Sequence, residues 1–510
     1  MSLLSRAGTV GGLTLLSRLF GFGRDVVMAA ILGAGPLADA FMVAFRLPNH
    51  FRAILAEGAF NSAFVPTYAA IADREGAEAA KSFRSTILAW SLIANLSLLA
   101  VALIATGWLI ALLAPGLGDD QAQRDLVIDL TRITFPYLAL ISVVALLSGV
   151  LNAHDRFAAA AAAPILLNIA MAGTLLVAWL FPSAAHAAAW GVLLGGIAQF
   201  VLLAGICVRA GLPFQLGLPK RNPHVGQFLK RFGPAIIGAG GVQIAMFADT
   251  IIATFLPTGS LSYLYYADRL YQLPLAVIGI AIGTALLPDL SRRSANPDDR
   301  TAPATLGHAV AVCLVLGLPC AVGLALLGDL IIEVLFARGA FTAEAVSGSA
   351  GALAAYSLGL PAAIAIRALV SGFHARGDTT TPVKALGLAT IVNVALKFAL
   401  VGQLAHVGLA TATAVGVWIY AGLLAMWLRG EGRLRIPRPD KARLIGILIG
   451  VIAGAAAVVL LRESVETRMA AFLPEWTAMS TLLVLGLLSL CLFAAPLAMA
   501  EYWTRRRTAQ

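Results

Sequence analysis

The chain has little charge, few cysteines and none of the common nucleotide-binding or protease motifs. Charged residues make up 12% of its 510 positions, about half the share of a soluble domain. The four cysteines show neither a CxxC pair nor a Cys/His spacing, so we expect free core thiols rather than a disulfide framework or a zinc site. The sequence contains no Walker-type Gly-x-x-x-x-Gly-Lys-Ser/Thr loop, HExxH motif or local Ser/His/Asp set. ATP hydrolysis and other enzymatic chemistry are therefore not expected.

Apolar residues are abundant instead. They make up 60% of the chain, and the mean hydropathy is +0.88. These values place the chain among integral membrane proteins. The first apolar run lacks the small-residue cleavage site of a secretory signal, so we expect it to remain as a spanning helix.

Apolar runs of about 20 residues predict fourteen transmembrane helices and an all-α polytopic membrane protein. The runs lie near 9–33, 37–69, 84–114, 127–153, 158–181, 186–210, 233–256, 260–291, 304–336, 345–374, 381–402, 405–428, 443–462 and 476–502.

Basic residues concentrate in alternate connecting loops, for example Arg74 and Lys81 in one loop and the run from Arg429 to Arg443 in another. The loops between them hold few basic residues, and acids lie near each one. The positive-inside rule then predicts that both termini are cytoplasmic. The net charge of +10 is thus explained mostly by topology, so no nucleic-acid partner is expected.

The sequence repeats with an offset of about 223 residues, most clearly where Ser148-Gly149 corresponds to Ser371-Gly372. An even number of helices per repeat predicts two parallel lobes around a central cavity. The expected domains are an N-lobe at 1–211, a cytoplasmic amphipathic linker at 212–232, a C-lobe at 233–429, and two further helices with a basic tail at 430–510.

Charged residues inside the apolar runs indicate function. An ionised side chain at the bilayer centre costs about 2.5 to 3.5 kcal/mol, so such residues need a polar cavity or a partner. Pairs such as Arg24 with Asp25, or Asp268 with Arg269, are structural ion pairs in the alternative interpretation. The set consists of Arg18, Arg24, Asp25, Asp39, Arg46, Arg52, Glu57, Asp268 and Arg269.

Helical spacing places many of these charges on shared faces. Arg18 and Asp25 are seven residues apart, and Asp39, Arg46 and Glu57 follow at intervals of 7 and 11, so each set lies on one helix face. Pro48 is expected to kink or break its helix. Because the planar guanidinium of arginine binds phosphate through two hydrogen bonds, the arginines favour a phosphate-bearing substrate.

Several motifs resemble those of a known family, and the resemblance covers essentially the whole chain. They are Ser17-Arg18-Leu19-Phe20-Gly21-Phe22-Gly23-Arg24-Asp25, Ala38-Asp39-Ala40-Phe41, Phe45-Arg46-Leu47-Pro48-Asn49, Phe64-Val65-Pro66, Tyr265-Tyr266-Ala267-Asp268-Arg269-Leu270, Ser371-Gly372-Phe373 and Thr381-Pro382. The family is that of the MurJ (MviN) lipid II flippases, within the multidrug/oligosaccharidyl-lipid/polysaccharide exporter superfamily.

The resemblance implies two six-helix lobes and two C-terminal helices that hold a lipid tail. It also implies the substrate, an undecaprenyl-pyrophosphate-linked disaccharide pentapeptide. This lipid II is moved from the inner to the outer leaflet of the bacterial cytoplasmic membrane for peptidoglycan synthesis. Membrane lipids and the cell-wall synthesis machinery are the other expected partners.

The resemblance further implies site residues. The substrate-binding set is Arg18, Arg24, Asp25, Asp39, Arg52 and Arg269. To these we add secondary cavity or gating positions, of which Arg367 is expected to be a buried cation with a structural or a gating role. This second set is Arg46, Glu57, Asp268 and Arg367.

Some relatives in the family carry a sodium site, and here Asp249 and Asn393 match part of it. The position one turn after Asn393 is Lys397, which would pair with Asp249 and replace the metal. We therefore expect an ion pair rather than sodium, no cofactor, and transport driven by the membrane potential.

Three other functions stay open at the level of sequence. A flippase for another polyprenyl-linked glycan fits the same charges. A cation-coupled multidrug exporter of the same superfamily would favour an acidic cavity. A noncatalytic membrane scaffold for cell-wall enzymes would use the buried charges only as internal pairs.

Overall fold

The protein is described by a computed structural model covering residues 3–56, 59–117, 120–212, 223–294 and 301–508. Within these ranges the chain is helical and contains no β-strand. The all-α prediction is confirmed.

Ten helices come from the first half of the chain. They are α1 (Leu3–Leu32), α2 (Pro36–Ala56), α3 (Ala59–Glu75), α4 (Ala77–Ile104), α5 (Thr106–Leu113), α6 (Gln121–Thr134), α7 (Pro136–Ala153), α8 (Phe157–Leu176), α9 (Ala184–Arg209) and α10 (Pro223–Ala253).

Seven helices follow in the second half. They are α11 (Ser260–Ser294), α12 (Ala302–Leu326), α13 (Gly328–Phe336), α14 (Ala343–His374), α15 (Thr380–Gly430), α16 (Arg438–Phe472) and α17 (Thr477–Thr508).

The helices agree closely with the apolar runs of the sequence. Nine helical segments in the described ranges are long and apolar enough to cross a membrane, and the count of fourteen spans stays a prediction. The predicted spans 381–402 and 405–428 both fall within α15. The backbone leaves the helical conformation there at Ala405, with φ 47° and ψ −130°, at the boundary that the sequence predicts.

Three apolar runs each contain two helices in the structure: 84–114 contains α4 and α5, 127–153 contains α6 and α7, and 304–336 contains α12 and α13. The run 37–69 also contains two, α2 and α3, and residues 57–58 between them lie outside the described part. Pro48 lies inside α2, and the helix continues past it to Ala56. A helix satisfies its own backbone polar groups, so in an apolar environment it is favoured even where a proline removes one hydrogen bond.

The chain forms two compact units, Met1–Leu261 with Arg338–Phe341, and Ser262–Ala337 with Thr342–Gln510. In the first unit α8 packs between α1 and α9, and α3 packs against α7 and α10. The predicted lobe boundaries stay a prediction. Residues 213–222 of the predicted linker 212–232 lie outside the described part, and residues 223–232 form the start of α10.

Helix α10 joins the first unit through aromatic side chains. The ring centroid of Phe60 on α3 lies 5.6 Å from Phe228 and 6.0 Å from Phe232, both in edge-on geometry. Such pairs add about 0.5 to 1.5 kcal/mol beyond the area that they bury. Stacking of Phe60 on Phe64 at 5.2 Å extends the cluster along α3.

The second unit is built around α14, which packs against α12 and α15, while α16 packs against α17. Close approach depends on small residues, since a Cβ at Gly359 would lie 2.9 Å from the Cα of Ala414. The expectation of four core thiols is only partly right. Cys207 and Cys313 are buried, but Cys320 is half-buried and Cys491 is exposed on α17.

Candidate functional site

Arg24 and Asp25 form a buried ion pair on α1. Nη2 of Arg24 lies 2.6 Å from Oδ1 of Asp25, and Nε donates to the same oxygen at 3.1 Å. The two residues are 9% and 2% exposed. A buried pair of this kind neutralises both charges, which is the condition for keeping them inside an apolar helix bundle.

Asn168 on α8 completes this cluster, and the sequence analysis missed it. Its Oδ1 accepts from Nη1 of Arg24 at 3.0 Å, and its Nδ2 donates to the backbone carbonyl of Ser17 at 3.2 Å. Both ends of the amide thus bind α1. The sequence signal that could have identified this partner is Asn168 itself, a single amide side chain in the otherwise mostly apolar α8.

Gly21 lies where α8 approaches α1. A Cβ added at Gly21 would meet the side chain of Asn168 at 3.5 Å, which is ordinary van der Waals contact. The amide of Asn168 binds Ser17 and Arg24, which lie about one turn on either side of Gly21. The guanidinium of Arg24 is therefore held in one position by two helices.

Arg18 lies on the same helix but is exposed, whereas Asp25, predicted to share its face, is buried. Arg18 is therefore accessible from outside the first unit. An exposed guanidinium two turns before a fixed one can bind an anion.

Asp39 contacts a different segment. Its Oδ2 accepts from the backbone N–H of Gly259 at 2.6 Å, just before α11 begins, and the residue is 8% exposed. It lines a cavity of about 170 Å³ that also includes Asp120 and Gln123. Asp39 therefore holds the loop between α10 and α11 through this hydrogen bond.

The remaining predicted residues of the first unit lie along α2. Arg52 is half-buried and its Nε donates to Oδ1 of Asn49 at 3.0 Å. Arg46 is also half-buried. Glu57 lies outside the described residues.

In the second unit the predicted charges lie on α11 and α14. The guanidinium of Arg269 lies over the ring of Tyr265, 4.6 Å from its centroid, a cation–π contact. Asp268 accepts a hydrogen bond from Gln272. Both Asp268 and Arg269 are half-buried.

The expectation that Arg367 is buried is wrong. The residue is exposed on α14, because the buried face of that helix carries its neighbours Ala365 and Ala368. Its side chain crosses Gly279 of α11, where a Cβ would lie 2.7 Å from Cδ of Arg367.

The residues of the expected ion-pair site are distributed over both units. Lys397 is 1% exposed on α15, and Nδ2 of Asn393, one turn earlier, donates to the carbonyl of Ala412 at 3.1 Å. Asp249 is half-buried on α10. The pairing of Asp249 with Lys397 stays a prediction, as do the substrate-binding roles of the arginines.

Two solved structures resemble this fold. A structure titled "Lipid II flippase MurJ, inward closed conformation" matches with a TM-score of 0.80 and 23% identity, over 98% of this chain and 99% of that one. An inward-facing multidrug resistance MATE family transporter of the MOP superfamily matches with a TM-score of 0.64 and 17% identity, over 83% and 98%. At these identities the likeness establishes the fold alone, that of MurJ and MATE transporters.

Relatives found by sequence share a higher identity with this chain than the two solved structures do. "Probable lipid II flippase MurJ" of Rhizobium meliloti (strain 1021) is 40% identical over 464 residues, which cover 90% of this chain and 86% of the relative. "Lipid II flippase MurJ" of Burkholderia cenocepacia is 37% identical over 466 residues, covering 89% of each. The family model described as "Lipid II flippase MurJ" matches residues 28–483. With most of its length matched by that model and by both relatives, the chain belongs to the lipid II flippase MurJ family.

Proposed function

We propose that this chain translocates lipid II from the inner to the outer leaflet of the bacterial cytoplasmic membrane, as a transporter without an ATPase site. Membership of the MurJ family supports the substrate class. The structural observation that carries the proposal is the cluster of Arg24, Asp25 and Asn168 on α1 and α8. A guanidinium fixed inside an apolar helix pair suits recognition of an anion that must enter the membrane.

The pyrophosphate of lipid II is the part of the substrate that arginines recognise. Exposed Arg18 is the first contact, because it lies on α1 two turns before the fixed Arg24. Arg24 then binds once the phosphate competes with Asp25 for its donors. Arg52 of α2 and Arg269 of α11 are further binding residues that rest on the family resemblance.

The driving force is the membrane potential. Moving one negative charge outward across an inside-negative membrane yields about 2.3 kcal/mol per 100 mV. A pyrophosphate carries more than one such charge, so the potential suffices without ATP or sodium. Alternating access, with both termini cytoplasmic, is the mechanism that we propose.

The cell-wall synthesis machinery then receives lipid II at the outer leaflet. A flippase for another polyprenyl-linked glycan would use the same pyrophosphate contacts, so the identity of the glycan must be measured. The exporter and scaffold alternatives predict no effect of this chain on the leaflet distribution of lipid II.

Conditional depletion in the host tests the proposal. After depletion, lipid II should accumulate in the inner leaflet, and wild-type protein should restore its outward transport. Arg24→Ala should not restore it, whereas Arg209→Gln, an exposed cation at the end of α9, should. Normal outward lipid II after depletion would contradict the proposal, and a defect confined to another polyprenyl-linked glycan would identify a different substrate.

A further inference from the structure

A pocket at the junction of α15 and α16 presents positive charge and no acid. It encloses about 650 Å³ in the second unit, and Arg429, Arg435, Arg438 and Lys441 contribute to its lining. All four side chains are exposed. Among the residues that the structure describes, none of the four takes part in an ion pair. Within the described residues, the pocket therefore carries four positive charges without a carboxylate partner.

The acids nearest in sequence already have other partners. Glu431 accepts hydrogen bonds from Arg376. Asp440, only 2% exposed, accepts from Nη1 of Arg443 at 2.9 Å, and Nδ1 of His308 lies 2.9 Å from the same oxygen. These contacts direct both carboxylates away from the pocket, so its charge is not cancelled locally.

The loop that forms the pocket is fixed to α12. The backbone N–H of Arg435 donates to the carbonyl of Pro303 at 3.1 Å. A Cβ at Gly307 would collide with the backbone carbonyl of Arg435, so the loop lies directly on α12. Helix α16 begins beside it without a side-chain cap hydrogen bond.

An exposed apolar track continues from the pocket along α16. Ile445, Leu448 and Ile452 follow Lys441 by 4, 7 and 11 residues, which places them on one helix face. Their exposed fractions are 60%, 46% and 68%. The basic pocket is thus continuous with an exposed apolar surface on a helix that is apolar enough to span the membrane.

We propose that this pocket binds the phosphate headgroup of an anionic membrane phospholipid, whose acyl chain lies along Ile445, Leu448 and Ile452. Basic pockets beside membrane-spanning helices recognise such headgroups. The apolar track distinguishes a lipid from a soluble phosphate, since a free anion gains nothing from it. The bound lipid is a resident of the bilayer and not the transported substrate, so this inference does not depend on the proposed function.

The test compares lipids with matched chains on the delipidated full-length protein by native mass spectrometry. Dioleoyl phosphatidylglycerol should bind about tenfold more tightly than dioleoyl phosphatidylcholine. The pocket variant R429Q/R435Q/R438Q/K441Q should lose that preference. A charge-matched variant, R74Q/R209Q/K230Q/K384Q, removes four other exposed cations and should keep it. Equal preference in the pocket variant and the wild type, or equal loss in both variants, would overturn the proposal.

Two further arms identify the source of the phosphate. Ile445→Asn with Ile452→Asn should weaken phosphatidylglycerol binding while leaving any binding of glycerol phosphate unchanged. If glycerol phosphate binds the wild type as tightly as the lipid, the pocket is a soluble-anion site and the lipid assignment is wrong. If lipid II displaces phosphatidylglycerol from the wild type at equal concentration, the occupant is the substrate and the phospholipid assignment is overturned. Melting temperatures of the variants confirm that each one is folded.

Discussion

Nη1 of Arg24 on α1 donates to Oδ1 of Asn168 on α8 across 3.0 Å, and this bond ties a buried cation to a second helix. The residues are 144 positions apart in the chain. Asp25, directly after Arg24, supplies the balancing charge. The candidate site is therefore a three-residue polar cluster rather than a row of independent arginines.

Replacing Asn168 with leucine should destabilise the protein. The change leaves Nη1 of Arg24 without this acceptor, and an unpaired buried donor costs about 1 to 3 kcal/mol. Asn168→Asp keeps an acceptor and should cost less. Ile169→Ala, at the next and exposed position, is the control. Thermal unfolding in detergent micelles provides the measurement, and equal melting temperatures for Asn168→Leu and Ile169→Ala would argue against the bridge.

Asp39 should act mainly as a hydrogen-bond acceptor for the loop before α11. Asp39→Ala leaves the N–H of Gly259 unpaired and should lower the free energy of unfolding by about 1 to 2 kcal/mol. Asp39→Asn retains a side-chain carbonyl and should be nearly neutral. If both variants melt at the same reduced temperature, the negative charge rather than the acceptor is required.

Glycine should be more stable than the native alanine at position 405. Its φ of 47° lies in a region that strains side chains, at a cost of about 1 kcal/mol or more. Ala405→Gly should therefore raise the melting temperature. Ala399→Gly, at an exposed position of regular helix in α15, should lower it, since glycine there costs about 1 kcal/mol. Changes of the same sign at both positions would contradict the strained conformation.

The Glu431 carboxylate should stabilise the loop after α15 only above acidic pH. Hydrogen bonding by Arg376 lowers the pKa of Glu431 below its ordinary value of 4.5, and the charge of Arg433 acts in the same direction. A lowered pKa in the folded state means that the contribution is complete above pH 4.5 and is lost as the pH falls through the folded-state pKa. The side chain is 44% exposed, so the effect is small.

Unfolding of Glu431→Gln and wild type at two pH values measures this dependence. The variant should be less stable at pH 7 and should approach the wild type as the pH falls through the lowered pKa of Glu431. Glu475→Gln, at an exposed position, should show no such difference. A constant gap between Glu431→Gln and wild type at all pH values would exclude the ion pair as its cause.

Much of the fold could be predicted from the sequence, because apolar length is the dominant signal for a helix in a membrane. The limits of α9 and α14 follow it within two residues, and Ala405 marks the predicted boundary within α15. The interruption of 84–114 at Ala105, between α4 and α5, could not be predicted, because the run stays mostly apolar across that position.

The candidate site was only partly predictable. The charged residues stood out against an apolar background, but their partners depend on which helices pack together. Asn168 joins Arg24 because α8 packs on α1, and Asp39 accepts from Gly259 because its loop folds beside α2. Arg367 was assigned to a buried face, although its helix turns that residue outward.

The most direct measurement of the central claim is lipid II transport by purified protein in liposomes, comparing wild type with R24Q/D25N. This pair removes both charges together, so neither partner is left as an unpaired buried charge, and the variant should fold. Its melting temperature is measured beside the transport rate. Loss of charge-assisted bonds to the pyrophosphate should slow outward transport about tenfold or more. Transport equal to that of the wild type would mean that Arg24 and Asp25 form only a structural ion pair, and would remove the proposed binding site.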